Sequence, residues 1–233
     1  MKVRQISDHV WSLKIWLIIP VHVWLVVDEE GVTLVDAGIS VMANGILSTV
    51  NQLDFGPLNR ILLTHGHSDH VGAIGSITKS NPVPVYAHRI EIPYMEGELP
   101  YPRRNKAVTF LTKGLAQPLR EDGAGQLQSV AGLTPYLTPG HSPGHVVYYH
   151  EQDKVLLAGD LFTSKKGKLH HPMPMFTSDM KEAIQSSQIV RQLQPQRLEV
   201  CHGNAVMNPA DHFDEYLNAV KKKYMDIPQV HSL

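Results

Sequence analysis

A single cysteine, Cys201, stands in a chain of 233 residues. Without a second thiol no internal disulfide forms, so a disulfide-stapled scaffold is excluded and a reducing compartment is compatible. Neither sign of charge is in excess, because 21 Lys+Arg oppose 22 Asp+Glu for a formal net charge of −1. A nucleic-acid binder usually shows a basic surplus or stripe, and the one dense run, Lys221-Lys222-Lys223, reads as a solvated helix end. No nucleic-acid partner is expected. Long apolar runs are missing too. The most apolar stretch, Ile15 to Val27, is 13 residues long and interrupted by Pro20 and His22, short of the roughly 20 that span a bilayer. It reads as two strands joined by a turn, and no membrane partner is expected. The opening residues MKVRQISDHVW carry polar groups where an export segment is continuous and apolar, which gives a cytoplasmic expectation.

What is present is enough apolar residue, 42%, for one core, and a chain below roughly 250 residues can keep a single one. One domain over 1–233 is expected. Short β-rich runs at Val10–Ile15, Val23–Val27 and Val32–Val35 form a meander signature. Helical spacing then appears over Met42–Leu53, followed by a strand at Ile61–Thr64, a helix from about Val71 to Lys79 and a strand at Val83–Tyr86. Residues at about 88–125 break this rhythm with Pro93, Pro100, Pro102, Pro118 and several glycines, an irregular insert expected to wall a substrate pocket. The second half repeats the outline. Strands are expected at Leu127–Val130, Leu133–Leu137, Val146–His150, Val155–Ala158 and Leu198–Cys201. One helix opens on a capping box of Asp179 with Glu182, and a last one on Asn208-Pro209 as N-cap and first helical residue. The fold class is α/β: two mixed sheets face to face with helices on both outer faces, a four-layer αββα sandwich.

Fourteen histidines are the compositional surplus, and several fall where apolar runs end. Strand 61–64 leads into His65-Gly66-His67-Ser68-Asp69-His70. His141 sits in Thr138-Pro139-Gly140-His141-Ser142-Pro143-Gly144-His145, Asp160 follows Gly159 after an apolar run, and Cys201-His202-Gly203 ends another. Alternate residues of His65-x-His67 can aim both imidazoles at one ion, while Asp69 and His70 can face a second. The set of His65, His67, Asp69, His70, His141, Asp160 and His202 exceeds the four ligands of one tetrahedral zinc. Two ions roughly 3.5–4 Å apart, bridged by a carboxylate and a hydroxide, would use them.

These motifs, with Asp36-Ala37-Gly38, resemble those of the metallo-β-lactamase superfamily of metal-dependent hydrolases. The resemblance runs from residue 36 to 203 and implies the αββα fold and a dinuclear centre, most often zinc, with iron or manganese as alternatives. It implies that His65, His67 and His141 hold the first ion, that Asp69, His70 and His202 hold the second, and that Asp160 bridges. Asp36 then orients a ligand histidine and His145 supports the site from behind. Asp69, beside the attacking hydroxide, is the candidate catalytic proton carrier. Cys201 reads as buried rather than nucleophilic.

The resemblance is closest to the lactonase and glyoxalase II branch. Zinc β-lactamases place a cysteine among their ligands, whereas here Cys201 is offset by one residue from His202. Glyoxalase II shares the type of Gly159-Asp160-Leu161-Phe162, but the chain after His202 is too short for that family's glutathione-binding domain. Acyl homoserine lactonases share the Thr138–His145 wording, yet Thr163 stands near their catalytic tyrosine's place. Iron sulfur dioxygenases, with only the first set of three histidines, are a non-hydrolytic alternative. Pro172–Phe176 and Arg103-Arg104 are candidate specificity segments, the latter for a carboxylate or phosphate, and His170 and His171 are candidates at the groove. A small-molecule ester, lactone or thioester is the expected substrate.

Overall fold

The computed structural model describes residues 1–225. Its chain opens as a meander of β1 (Lys2–Gln5), β2 (Val10–Trp16), β3 (Pro20–Asp28) and β4 (Gly31–Val35), each antiparallel to the next. The same sheet continues with β5 (Leu58–Leu62), β6 (Val85–Ala87) and β7 (Ala116–Pro118), all parallel to β4. Parallel neighbours need crossovers. They carry α1 (Ala43–Leu53), then α2 (Ser68–Val71) and α3 (Ile74–Ser80), then α4 (Ile92–Met95).

The second sheet contains β8 (Leu133–Leu137), β9 (Val146–His150), β10 (Val155–Leu157), β13 (Arg197–Glu199) and β14 (Val206–Met207), in the order β14-β13-β10-β9-β8. A separate hairpin, β11 (Thr163–Lys165) and β12 (Lys168–His170), follows β10. Helices α5 (Met180–Ser186) and α6 (Ile189–Leu193) precede β13, and α7 (Phe213–Tyr224) follows β14.

Strand alternation explains why the layers stack. Val146, Tyr148, Val155 and Leu157 belong to the apolar cluster that holds the first sheet, α1 and α3. Val147, Tyr149, Leu156 and Ala158 belong to a second cluster with Ile184, Val190, Phe213 and Leu217 from the later helices. Successive strand residues point to opposite faces, so the second sheet meets its partner sheet on one side and its helices on the other. Each fully buried aliphatic contributes roughly 1.5–3 kcal/mol, and the result is the four-layer αββα sandwich.

Several elements depart from the pattern-based expectation. The exposed β1 has no apolar period to betray it. The single helix expected to open on Asp179 is two: the buried Ser187 hydroxyl donates to Ile184 O at 2.6 Å and competes with the helical ladder. The helix expected from Val71 divides at Gly72-Ala73 into α2 and α3. Leu127–Val130 makes only isolated bridges. Asp179 caps α5 by accepting from Lys181 and Glu182 N–H, while its own N–H goes to Gly140 O rather than to Glu182. Asn208 lies in the left-handed region at φ 43 with no side-chain cap, and a 3-10 turn at Pro209–His212 precedes α7. The segment 88–125 is not irregular throughout, since it holds α4 and β7.

At the edge where β9 ends and β10 begins, Asp153 joins the two halves. Its carboxylate accepts from His9 N–H at 2.9 Å and stands 2.8 Å from His9 Nδ1. Burial pushes the Asp153 carboxyl up, but the nearby Ser7 hydroxyl and the His9 donors outweigh it and hold it below 3.8. A depressed folded value means the contribution is complete above about 3.8 and lost as pH falls through the folded value. Asp153→Asn is therefore expected to cost about 1 kcal/mol near neutrality and to flatten the acid limb of urea-unfolding stability against pH.

Candidate active site

The side chains singled out in the sequence converge on one edge of the sandwich. Asp36 follows β4, the 65–70 run follows β5, His141 precedes β9, Asp160 follows β10 and His202 follows β13. Such strand-end edges, built of loops on a rigid frame, are where folds place chemistry.

Three imidazoles make the first cluster. His65 Nε2 and His141 Nε2 each lie 3.0 Å from His67 Nδ1. Their outer nitrogens fix the tautomers. Thr64 Oγ1 donates to Asp36 Oδ2 at 2.8 Å and so accepts from His65 Nδ1–H at 3.1 Å. Thr177 Oγ1 donates to Met173 O at 2.9 Å and so accepts from His141 Nδ1–H at 3.3 Å. Both Nε2 atoms are thereby lone pairs, and one proton on His67 Nδ1 can serve only one of them. Burial is the leading cause that holds His67 down to about 4 and keeps His65 and His141 well below the usual histidine range. Neutral imidazoles with converging lone pairs are a donor set for a cation.

The second cluster is charged. His70 Nδ1–H donates to Asp36 Oδ2 at 2.7 Å, and His202 Nδ1–H donates to Pro20 O at 2.9 Å. Each leaves its Nε2 pointing inward. Both Nε2 atoms, with Asp160 Oδ1, are buried side-chain atoms that lack hydrogen-bond partners. Asp69 Oδ2 lies 3.1 Å from His202 Nε2 and 4.0 Å from His70 Nε2, without hydrogen-bonding angles. Asp160 reaches both clusters, with Oδ1 3.5 Å from His70 Nε2 and Oδ2 3.5 Å from His141 Nε2 and 3.4 Å from His202 Nε2. Burial would push His70 and His202 down, but the groups around them outweigh it: the Cys201 sulfur and the Asp36 carboxylate lead for His70, and the Asp160 carboxylate leads for His202. Burial likewise opposes ionisation of Asp69 and Asp160, and the histidines outweigh it. So much buried negative charge calls for positive charge at the same point. The unpartnered atoms fit a divalent cation.

Supporting groups hold these atoms in place. Asp36, fully buried and left-handed at φ 56, accepts from Thr64 N–H at 2.8 Å as well as from Thr64 Oγ1 and His70. His145 turns its Nε2 to Asp160 N–H at 3.2 Å and its Nδ1 to Thr138 Oγ1 at 3.0 Å. Pushed down to about 3 chiefly by burial, it is a neutral ring that fixes the Asp160 backbone. Cys201 is fully buried, with Sγ within 4.8 Å of the donor atoms of Asp69, His70 and His202.

One group escaped the sequence pattern altogether. Glu91, fully buried, accepts from Gly66 N–H at 3.0 Å, Ser142 Oγ at 2.9 Å, Gly144 N–H at 2.8 Å and Tyr101 OH at 2.7 Å. It ties the loop of His65 and His67 to the loop of His141. A Cβ at Gly140 would lie 2.1 Å from Ala183 N at φ +126, which seats the His141 loop against α5.

Above the clusters opens a cavity of about 440 Å³. His67, Asp69, Asp160 and His202 form its floor, and Ile19, Val108, Phe110, Met173 and Phe176 its apolar wall, with Tyr101, Arg104 and Lys106 beside them. Arg103 and Arg104 part ways, since Arg103 donates to backbone carbonyls and Arg104 lines the cavity. His170 and His171 were expected at the groove. They line a different cavity, where His171 Nε2 meets Lys223 Nζ at 3.1 Å.

A family model described as the metallo-beta-lactamase superfamily matches residues 18–202. "Probable metallo-hydrolase YybB" of Bacillus subtilis (strain 168) is 39% identical over 221 residues, covering 93% of this chain and 98% of that protein. A hydroxyacylglutathione hydrolase of Bdellovibrio bacteriovorus is 30% identical over 152 residues, which cover 65% of this chain and 50% of that enzyme. The solved structure of TTHA1623 in a di-iron-bound form shares the fold, with a TM-score of 0.64 at 24% identity over 91% of this chain and 97% of that one. The chain belongs to the metallo-beta-lactamase superfamily and is a metallo-hydrolase of that superfamily. Among the described residues no helix is long and apolar enough to cross a membrane.

Proposed function

We propose that the chain is a dinuclear hydrolase, with zinc as its preferred ion, that cleaves an ester, lactone or thioester of a small substrate. The observation that carries this reading is the set of inward-facing nitrogens whose outer nitrogens are already committed, arranged in two clusters that share Asp160. His65, His67 and His141 would hold one ion, and Asp69, His70 and His202 the other. Imidazole and carboxylate donors suit zinc, and iron or manganese is accommodated by the same set. The di-iron state of TTHA1623 supports room for two ions in this fold.

A bound divalent ion of this kind lowers the pKa of water towards neutrality and polarises a carbonyl. The chain's own residues do the rest. Asp69, on the cavity floor with a side chain 30% exposed, can accept a proton and release it to the leaving group. The apolar wall excludes water from the acyl side. A cavity of this volume and a chain of balanced charge favour a small molecule over nucleic acid or a membrane as partner.

Metal analysis should find two ions per chain, falling to one in His202→Ala. Chelation should abolish cleavage within a panel of lactones, thioesters, β-lactams and phosphodiesters, and zinc should restore it. Unchanged turnover in metal-free protein, or two irons with no hydrolysis of any member, would overturn the reading.

A further inference from the structure

Adjacent arginines at the cavity have opposite fates. Arg103 has a left-handed backbone at φ 66, and its Nη1 donates to Pro174 O at 2.9 Å and Thr177 O at 2.7 Å. That clamp holds the 173–177 strap to the 101–104 turn, so Met173 and Phe176 share one cavity with Arg104. Arg104 also borders a smaller adjoining recess of about 110 Å³ together with His67 and Tyr101, which places it beside the first histidine cluster. Lys106 lines the main cavity as well. Neither Arg104 nor Lys106 forms an ion pair among the described residues. The carboxylates of that cavity, Asp69 and Asp160, are engaged with the histidines of the floor.

Two exposed cations that form no ion pair among the described residues and line the same cavity as an apolar wall are complementary to one kind of molecule. A guanidinium fork matches the paired oxygens of a carboxylate or phosphate, and an ammonium adds a point charge. Met and Phe side chains accept an aliphatic body. We infer that the cavity selects an aliphatic acyl substrate that also carries an anionic oxygen group, a carboxylate or a phosphate, received by Arg104 and Lys106. This substrate class rests on the hydrolase reading above.

The test uses the zinc-loaded full chain and three thioesters of equal length, ending in a neutral hydroxyl, a carboxylate or a phosphate. At low salt at least one anionic substrate should exceed the neutral one about tenfold in kcat/KM, mainly through KM, as one charge-assisted contact provides. The advantage should shrink as salt rises. Arg104→Gln should erase it by raising KM for the anionic substrates, and Arg104→Lys should recover part of it. Lys14→Gln, on a lysine that lines a different cavity, should leave the ratio unchanged. Whether carboxylate or phosphate gains more identifies the natural group. Equal kcat/KM for all three substrates in the wild type, or an Arg104→Gln variant that lowers neutral and anionic turnover together, would overturn the inference. If no thioester is cleaved, only the thioester branch of the hydrolase reading fails, and calorimetry still decides this one. Octanedioate should bind the wild type more tightly than octanediol and lose that margin in Arg104→Gln; equal margins in both proteins would overturn it.

Discussion

Asp160→Ala is expected to lower kcat/KM by at least about a thousandfold and to lower the metal content of the purified protein. Lewis-acid stabilisation supplies several kcal/mol to reactions of this kind, and each 1.36 kcal/mol is a factor of ten. Asp160 is the side chain that approaches histidines of both clusters, through Oδ1 to His70 and Oδ2 to His141 and His202. It also carries much of the negative charge that offsets burial of His202. Without it the clusters become two separate, less anionic sites. Asp160→Asn keeps the shape and removes the charge, so it should resemble the alanine variant in metal content if charge is the cause. The backbone should survive either change, because Asp160 N–H still reaches His145 Nε2 and Cys201 N–H still reaches Gly159 O at 3.0 Å. Wild-type activity with two ions bound in Asp160→Ala would sink the dinuclear reading.

The part of the site legible in the sequence is the part written contiguously. His65, His67, Asp69 and His70 fall within six residues after a buried strand, and the chain brings His141, Asp160 and His202 to the same edge by the simple rule that loops follow strands. The sandwich was legible for a similar reason, since each long strand carries its own apolar pattern. β1, with four exposed residues, carried none. Helix breaks at Ser187 and Gly72 depend on which hydroxyl or backbone lies beside them in three dimensions. The separate roles of Arg103 and Arg104 depend on a φ of 66 and on carbonyls more than 70 residues away. His170 and His171 misled because neighbouring histidines suggest a site, whereas a hairpin turns them to another cavity. Glu91 was hidden most completely. Its partners lie 25, 51 and 53 residues distant, apart from Tyr101 at 10, and a glutamate inside a proline-rich segment has no local signature.

Glu91→Ala is the second large effect, and it should be seen first in stability. Four donors would lose one buried acceptor. Each donor left unpaired costs about 1–3 kcal/mol, and partial rescue by water leaves a loss of roughly 4 kcal/mol. For a chain of this size that is a fall of about 10–15 °C in Tm. Activity should fall about ten- to a hundredfold in the protein that remains folded, the range typical of groups that orient metal ligands, because the loops of His67 and His141 are no longer tied together. Glu91→Gln preserves volume but turns an amide donor towards other donors, so it should lie between wild type and alanine. The pH dependence gives an independent sign. Burial pushes the Glu91 carboxyl up from 4.5 against the pull of Tyr101, Gly66, Gly144 and Ser142, so the folded chain keeps its proton to higher pH than the unfolded chain. Stability from this group is complete below about 4.5 and declines as pH rises through the folded value, opposite in sense to Asp153. Urea unfolding of chelated protein between pH 4 and 7 should show that declining component in the wild type and lose it in Glu91→Gln. A Glu91→Ala protein with wild-type Tm would show that the two histidine loops are held by something else.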